Sequence, residues 1–124
     1  MDRILIAGAG GFLGSALRYW ISTFSYRVLG QDFPYGTLLV NVIGCFTIGI
    51  LMSIFEDRFI VNPNLRIFLT IGILGGFTTF SSFSFETMAF LREGNISMAI
   101  VNILGSLLLC LGGTWLGSLL GKIL

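Results

Sequence analysis

The sequence predicts an all-α integral membrane protein with four transmembrane helices. The chain has 124 residues, of which 55% are hydrophobic and only 10% are charged. Its mean hydropathy is +0.95, whereas soluble domains carry about 25% charged residues. Four apolar stretches each approach the ~20 residues that a helix needs to cross a bilayer. A soluble fold could not bury this much apolar surface, so the bilayer is the expected solvent.

The four predicted helices cover about residues 4–24, 38–55, 67–91 and 96–120, within a single transmembrane domain of residues 1–124. The connections between them carry both prolines, Pro34 and Pro63, and most of the charged residues. Proline and glycine mark turns between periodic segments. The first stretch has no clear small-residue cleavage site, so we expect a retained helix rather than a signal peptide.

The distribution of positive charge gives only a weak orientation signal. With four spans, both termini and the second loop lie on one side of the membrane, and positively charged loops favour the cytoplasm. That side carries Arg3, Arg58, Arg66 and Lys122, and the other side carries Arg27 and Arg92. Such a small bias allows insertion in both directions and pairing as an antiparallel homodimer. The alternative is a single orientation set by the modest excess.

The N-terminal glycines resemble a dinucleotide-binding motif only in their spacing. Gly8, Gly11 and Gly14 follow an apolar run, but that motif requires a βαβ unit and an acidic residue about 20 positions later. Another hydrophobic span follows here instead. Gly10 and Gly14 form a small-xxx-small pair, which in membranes lets two helices pack closely. Similar pairs are Gly72 with Gly76, Gly113 with Gly117, and Gly117 with Gly121.

Enzyme chemistry has little support in the sequence. The chain has no histidine, and Glu86 is the only carboxylate within a predicted span. A zinc site or a nucleophile with a nearby base cannot be assembled from such a set. Cys45 and Cys110 stand singly in different spans, and we interpret them as small apolar packing residues. No enzyme, cofactor-binding site or nucleic-acid partner is expected.

The third span, "IGILGGFTTFSSFSFETMAF", is too polar to face lipid. Unsatisfied polar groups in hydrocarbon cost several kcal/mol, so this span should face protein, water or ions. Gly75 and Gly76 followed by two threonines predict an interruption of the helix. Broken membrane helices are tolerated where their free carbonyls meet a cavity or an ion. A simple kink satisfied by neighbouring hydroxyls is the alternative.

Helical spacing after the interruption sorts the side chains into two adjacent faces. Phe80, Phe83, Ser84 and Thr87 share one face of a helix, and Thr79, Ser82 and Glu86 share the next. Phenylalanine rings have a positive rim, so rings presented edge-on can favour an anion. Some of these phenylalanines are expected simply to pack within the bundle.

Two other spans supply polar groups that lipid would not tolerate. Asn41, Asn102 and Ser106 should point inward, either as hydrogen bonds between helices or toward a permeating species. Arg18 could reach the interface or pair with Glu86, whose charge makes it a functional candidate. Amides, hydroxyls and ring edges can replace the hydration of a small anion without trapping it. The residues therefore favour a narrow polar pathway for an anion, without naming the ion.

Three motifs resemble the bacterial fluoride channels of the CrcB or Fluc family: "GGFLGSALRYW", "GTLLVNVIG" and, most specifically, "GGFTTFSSFSFE". The resemblance covers the whole chain. It implies a fluoride-selective channel in the bacterial inner membrane, which exports fluoride passively and so lowers its intracellular toxicity. It also implies a dual-topology antiparallel homodimer with two fluoride pathways and no other obligate protein partner.

The resemblance also assigns roles to individual residues. A structural sodium ion, which is not transported, would be held by the main-chain carbonyls of Gly75 and Thr78. The resemblance places four residues in the fluoride pore: Asn41, Phe80, Phe83 and Ser106. It places Ser81, Ser82, Ser84 and Glu86 in a polar track. The family often has threonine at the position of Ser82 and tyrosine at that of Asn102, so Asn102, like Arg18, is a structural candidate.

Two other classes remain as alternatives. A small dual-topology drug or cation exporter of four helices would carry a membrane-embedded glutamate in its first helix, where this chain has Arg18 and no carboxylate. A non-transporting membrane subunit would use its glycines as contact surfaces, and the polar third span argues against that class.

Overall fold

The computed structural model describes residues 2–57 and 62–124, and all of the regular structure within those ranges is helical. Arg58, which contributes to the predicted charge bias, lies outside the described residues. The helices are α1 (Asp2–Leu29), α2 (Tyr35–Asp57), α3 (Pro63–Arg66), a π-helical stretch (Ile67–Leu74), α4 (Gly75–Phe77), α5 (Phe80–Arg92) and α6 (Ile96–Ile123). The segments from Pro63 to Arg92 follow one another as a single third span.

Four helical spans are long and apolar enough to cross a membrane, which confirms the predicted class. They contain 28, 23, 30 and 28 residues, so each exceeds the length that a bilayer requires. Each also extends beyond the apolar stretch visible in the sequence. The chain is thus a multi-pass membrane protein.

Local sequence signals set the ends of these helices. Asn62 caps α3, accepting hydrogen bonds from the N–H groups of Asn64 and Leu65, with Pro63 in the first turn. Asn95 caps α6 in the same manner through the N–H of Met98. Asparagine is a preferred N-cap residue and proline suits the first helical position. The short connection before α6 contains Gly94, whose positive φ of 77° is a conformation that glycine adopts readily.

The spans pack in two close pairs. The first helix lies against the N-terminal half of the third span, and α2 lies against α6. Smaller contacts join α1 to α2 and to α4, and α5 to α6. Buried apolar side chains are few, namely Val40, Phe55, Leu74, Phe77 and Ala99, while many large apolar side chains are exposed. This distribution suits a bundle whose outer surface meets lipid or another subunit.

Candidate functional site

The third span changes conformation at two threonines. Helix α4 ends at Phe77, and Thr78 (φ −90°, ψ 158°) and Thr79 (φ −150°, ψ 105°) are extended before α5 begins at Phe80. Thr79 is the N-cap of α5, because its Oγ1 accepts a hydrogen bond of 3.2 Å from the N–H of Ser82. A threonine at this position satisfies one of the free donors of a helix start.

Asn41 on α2 holds the extended peptide from both sides. Its Nδ2 donates to the carbonyl of Thr79 at 3.1 Å, and its Oδ1 accepts from the N–H of Thr79 at 2.8 Å. Thr79 is 8% exposed, so these bonds satisfy backbone groups that would otherwise be costly. A side-chain amide has two N–H donors. One donor of Asn41 is therefore used in fixing the backbone, and the second is available to a ligand.

The interruption removes the helical partners of two carbonyls. In a continuous α-helix the carbonyls of Gly75 and Thr78 would accept from the N–H groups of Thr79 and Ser82. The N–H of Thr79 donates instead to Asn41, and that of Ser82 donates to the hydroxyl of Thr79. The two carbonyls that the family resemblance assigns to a sodium ion are thus those whose regular donors are engaged elsewhere.

One cavity, which we call the aromatic cavity, brings together the predicted pore and sodium residues. Its volume is about 410 Å³. The rings of Phe80 and Phe83 lie 5.5 Å apart between centroids at 49°, a tilted arrangement that aromatic pairs favour. The lining comprises Asn41, Gly44, Cys45, Ile48, Thr70, Leu74, Gly75, Thr78, Thr79, Phe80, Phe83, Ser106, Leu107 and Cys110. No charged residue is among these described lining residues.

A second cavity, the polar cavity, lies on the other face of α5. It has a volume of about 520 Å³ and contains Arg18, Thr79, Ser81, Ser82 and Glu86, together with Ser15, Tyr19, Ser22, Tyr26, Thr37 and Phe85. Thr79 lines both cavities. Of the two faces predicted from helical spacing, one places Phe80 and Phe83 at the aromatic cavity, and the other places Ser82 and Glu86 at the polar cavity. The exposed Ser84 and the buried Thr87 line neither cavity.

Arg18 and Glu86 face the same cavity but make different contacts. The Nε of Arg18 donates to the carbonyl of Gly76 at 3.0 Å. Glu86 accepts from the Oγ1 of Thr37 at 2.6 Å and from the hydroxyl of Tyr26 at 3.4 Å. Among the described residues, the hydrogen-bond acceptor of Arg18 is thus a backbone carbonyl rather than Glu86.

Sequence reasoning missed both partners of Glu86. Thr37 precedes Asn41 by four residues, so helical spacing places the two side chains on one face of α2, and this signal could have identified it. Tyr26 lies near the end of α1 in no recognisable pattern. Only the tertiary structure, which places α1 and α5 around the polar cavity, brings its hydroxyl to the carboxylate.

Asn102 connects α6 to α5. It is 2% exposed, and its Nδ2 donates to the Oγ1 of Thr87 at 3.0 Å. The hydroxyl of Ser106 in turn donates to the Oδ1 of Asn102 at 3.5 Å. Asn102 has the contacts of an interhelical hydrogen-bonding residue, whereas Ser106 also lines the aromatic cavity.

A family model described as CrcB-like protein, Camphor Resistance (CrcB) matches residues 5–118. Several curated proteins named fluoride-specific ion channel FluC are similar over nearly the whole length of both chains. The protein of Geotalea daltonii is 48% identical over 117 residues, covering 94% of each chain. That of Citrifermentans bemidjiense is 46% identical over 124 residues, covering 100% of each. That of Clostridium perfringens is 47% identical over 120 residues, covering 97% of this chain and 94% of the relative.

Proposed function

This chain belongs to the CrcB family, and from that premise we propose that it is a fluoride-selective channel of the bacterial inner membrane. It conducts fluoride passively out of the cytoplasm and so lowers the intracellular concentration of a toxic ion. The observation that carries the proposal is the aromatic cavity, in which Asn41, Phe80, Phe83 and Ser106 line one space.

The chemistry of the aromatic cavity suits a small anion. An amide N–H of Asn41 is a donor, and the positive rims of Phe80 and Phe83 are electropositive edges. The hydroxyl of Ser106 can join them by releasing its 3.5 Å hydrogen bond to Asn102. None of the described lining residues carries a charge. Conduction requires an ion to be held strongly enough to enter and weakly enough to leave. Neutral donors meet this condition, whereas a lysine or arginine would bind the anion more firmly.

The polar cavity supplies the proposed polar track beside the aromatic cavity. From α5, the hydroxyls of Ser81 and Ser82 and the carboxylate of Glu86 line this cavity. Thr79 links the two cavities, since it lines both. We assign the track to Ser81, Ser82 and Glu86 with Thr79, and the exposed Ser84 belongs to it only if a second subunit closes over that position.

We propose that the channel is an antiparallel, dual-topology homodimer. Gly75 is exposed, and Phe80 is 78% exposed beside the interrupted backbone. Backbone carbonyls without partners are costly in lipid, so a protein surface is the favourable neighbour for this region. The weak charge bias across the membrane supports insertion in both directions, which an antiparallel pair requires.

The same dimer would hold the structural sodium ion. The carbonyl oxygens of Gly75 and Thr78 are hard ligands of the kind that unwound membrane helices offer to sodium. They are free because the N–H groups that would bind them in a regular helix donate to Asn41 and Thr79 instead. Two antiparallel copies would contribute two such pairs. The ion supplies a fixed positive charge between the subunits, and the chain's own part is to present these oxygens at a rigid break.

Reconstitution of the purified protein in liposomes, with fluoride and chloride efflux followed by ion electrodes, tests the proposal. We expect fast efflux of fluoride over chloride, which falls when sodium is replaced by N-methylglucamine. Phe80→Ile and Phe83→Ile each remove an aromatic edge worth ~1 kcal/mol and should slow efflux about fivefold. Phe24→Ile, at an exposed phenylalanine of α1 outside both cavities, is the matched control.

Each result has a clear meaning. Absence of fluoride efflux from folded protein in sodium buffer would overturn the channel assignment. Proton exchange that depends on an added drug would instead indicate an exporter, and silence in both assays would indicate an accessory subunit. Efflux that is independent of sodium would refute the proposed structural ion while leaving the fluoride pathway in place.

A further inference from the structure

The only two cysteines of the chain, Cys45 on α2 and Cys110 on α6, line the same cavity. Both belong to the wall of the aromatic cavity, and both are half-buried free thiols. Neither has a part in the proposed passage of fluoride. The packing of α2 against α6 explains how residues so far apart in sequence come together.

The two helices run side by side in a fixed register. The hydroxyl of Ser53 donates to the carbonyl of Ser118 at 3.0 Å, a separation of 65 positions. One turn earlier on each helix, a Cβ added at Gly49 would meet the carbonyl of Thr114, at the same separation. Side chains four residues apart lie on the same face of a helix, so the register continues along this seam.

One further turn along the seam, the same register pairs Cys45 with Cys110. Both thiols also line the wall of the same cavity, as this register requires. The next step pairs Asn41 with Ser106, and both of these line the aromatic cavity. The two cysteine thiols therefore lie side by side at the wall of the aromatic cavity, through which fluoride is proposed to move.

We propose that Cys45 and Cys110 form a two-sulfur binding site for a soft d10 metal cation, of the class of Cu(I), Ag(I) and Hg(II). Cysteine sulfur is a soft ligand that selects soft cations over hard ones. A cation held there narrows the aromatic cavity. This second consequence rests on the proposed channel function, whereas the binding itself does not.

The charge balance of binding favours this site. Hg(II) replaces the proton of each thiol, forming two mercury–sulfur bonds and releasing two protons to solvent. The product is a neutral complex. With Cu(I) or Ag(I), one thiol loses its proton and the other binds through its neutral sulfur, and the product is again neutral. No electrons are transferred, and no net charge is left in a membrane-embedded wall where burial of charge is costly.

Titration of the purified full-length protein in detergent with mercuric chloride tests the site, with the ultraviolet mercury–thiolate absorption as the readout. We expect one Hg(II) per chain. Cys45→Ser and Cys110→Ser should each weaken binding by at least ~10–100-fold, the loss that even outer-shell changes cause at metal sites. Zinc chloride is the control cation, because Zn(II) in structural sites takes four ligands, and we expect it to bind far more weakly.

A fluoride efflux assay adds the functional readout. Mercuric chloride should slow efflux through the wild-type protein and leave the Cys45→Ser, Cys110→Ser double variant unaffected, with size-exclusion chromatography showing that each variant is folded. Two independent ions per chain, or single variants that bind as tightly as the wild type, would overturn the two-sulfur site. A wild-type protein that binds Hg(II) as expected but conducts no fluoride would refute the channel function and leave the metal site standing.

Discussion

The glycine seams and the interrupted third span use the same residue type for different purposes. In the seam between α2 and α6, a Cβ added at Gly117 would meet the carbonyl of Phe46, and one at Gly121 would lie 2.7 Å from the carbonyl of Ile50. At the interruption, the nearest atom to a Cβ added at Gly75 is 3.8 Å away. Glycine lets backbones touch in the seam, whereas Gly75 borders an open cavity.

This difference shows how a small bundle combines a rigid frame with a pathway. Close contact of helices supplies the packing that holds a membrane bundle together. The freed backbone groups of the interruption are satisfied by a few polar side chains, above all Asn41. Damage to a seam should therefore affect the fold, and damage to the interruption should affect conduction.

The largest expected effect is on the seam. Gly117→Ala places a Cβ against backbone atoms of Phe46 and Ile50, which cannot move as a side chain could, so the helices must separate at a cost of ~1–3 kcal/mol. Gly112→Ala in the same helix meets nothing within 4 Å and should leave stability unchanged or slightly higher. The thermal midpoint of the monodisperse peak in size-exclusion chromatography measures both. Equal midpoints for the two variants would contradict the role of the seam.

The second comparison is between the alanine variants of two asparagines, Asn41 and Asn102. Asn41→Ala removes both hydrogen bonds to the backbone of Thr79, each worth ~1 kcal/mol net, and should abolish most fluoride efflux. Asn102→Ala removes one interhelical hydrogen bond, worth ~0.6 kcal/mol on average in membranes. The loss is small because the hydroxyl of Thr87 still donates to the carbonyl of Phe83. Asn41→Ala should lower both the rate of fluoride efflux and the thermal midpoint more than Asn102→Ala does. The reverse order would refute the assignment of Asn41 to the interruption.

The smallest expected effect compares two serines of α5. Ser82→Ala removes the acceptor of a 3.0 Å hydrogen bond from the hydroxyl of Thr79, a loss of ~1 kcal/mol that should slow efflux a few-fold. Ser84→Ala alters an exposed residue outside both cavities and should leave efflux unchanged. Equal slowing by both variants would show that the polar track extends beyond the polar cavity, to a surface that a second subunit completes.

Much of the candidate site was visible in the sequence because membranes penalise polar residues so strongly. Lipid would not tolerate the hydroxyls after Gly76, the carboxylate of Glu86 or the asparagines within apolar runs. The structure places most of these groups at cavities or in hydrogen bonds between helices. The pairing of Arg18 was not predictable, because its acceptor is a backbone carbonyl, and every residue of the chain offers one. The proximity of Cys45 to Cys110 depends on the register of two helices, which no local pattern records.

Composition, apolar length and local motifs were enough to predict the four membrane spans, the family and the set of polar residues from which a pathway can be built. These features are local, because the bilayer penalises each polar residue separately. Which polar groups meet depends on how the helices pack. The packed helices bring Asn41 to Thr79, Arg18 to Gly76 and Glu86 to Thr37. Such contacts depend on the axial position and rotation of each helix, which the close packing at the glycine seams fixes.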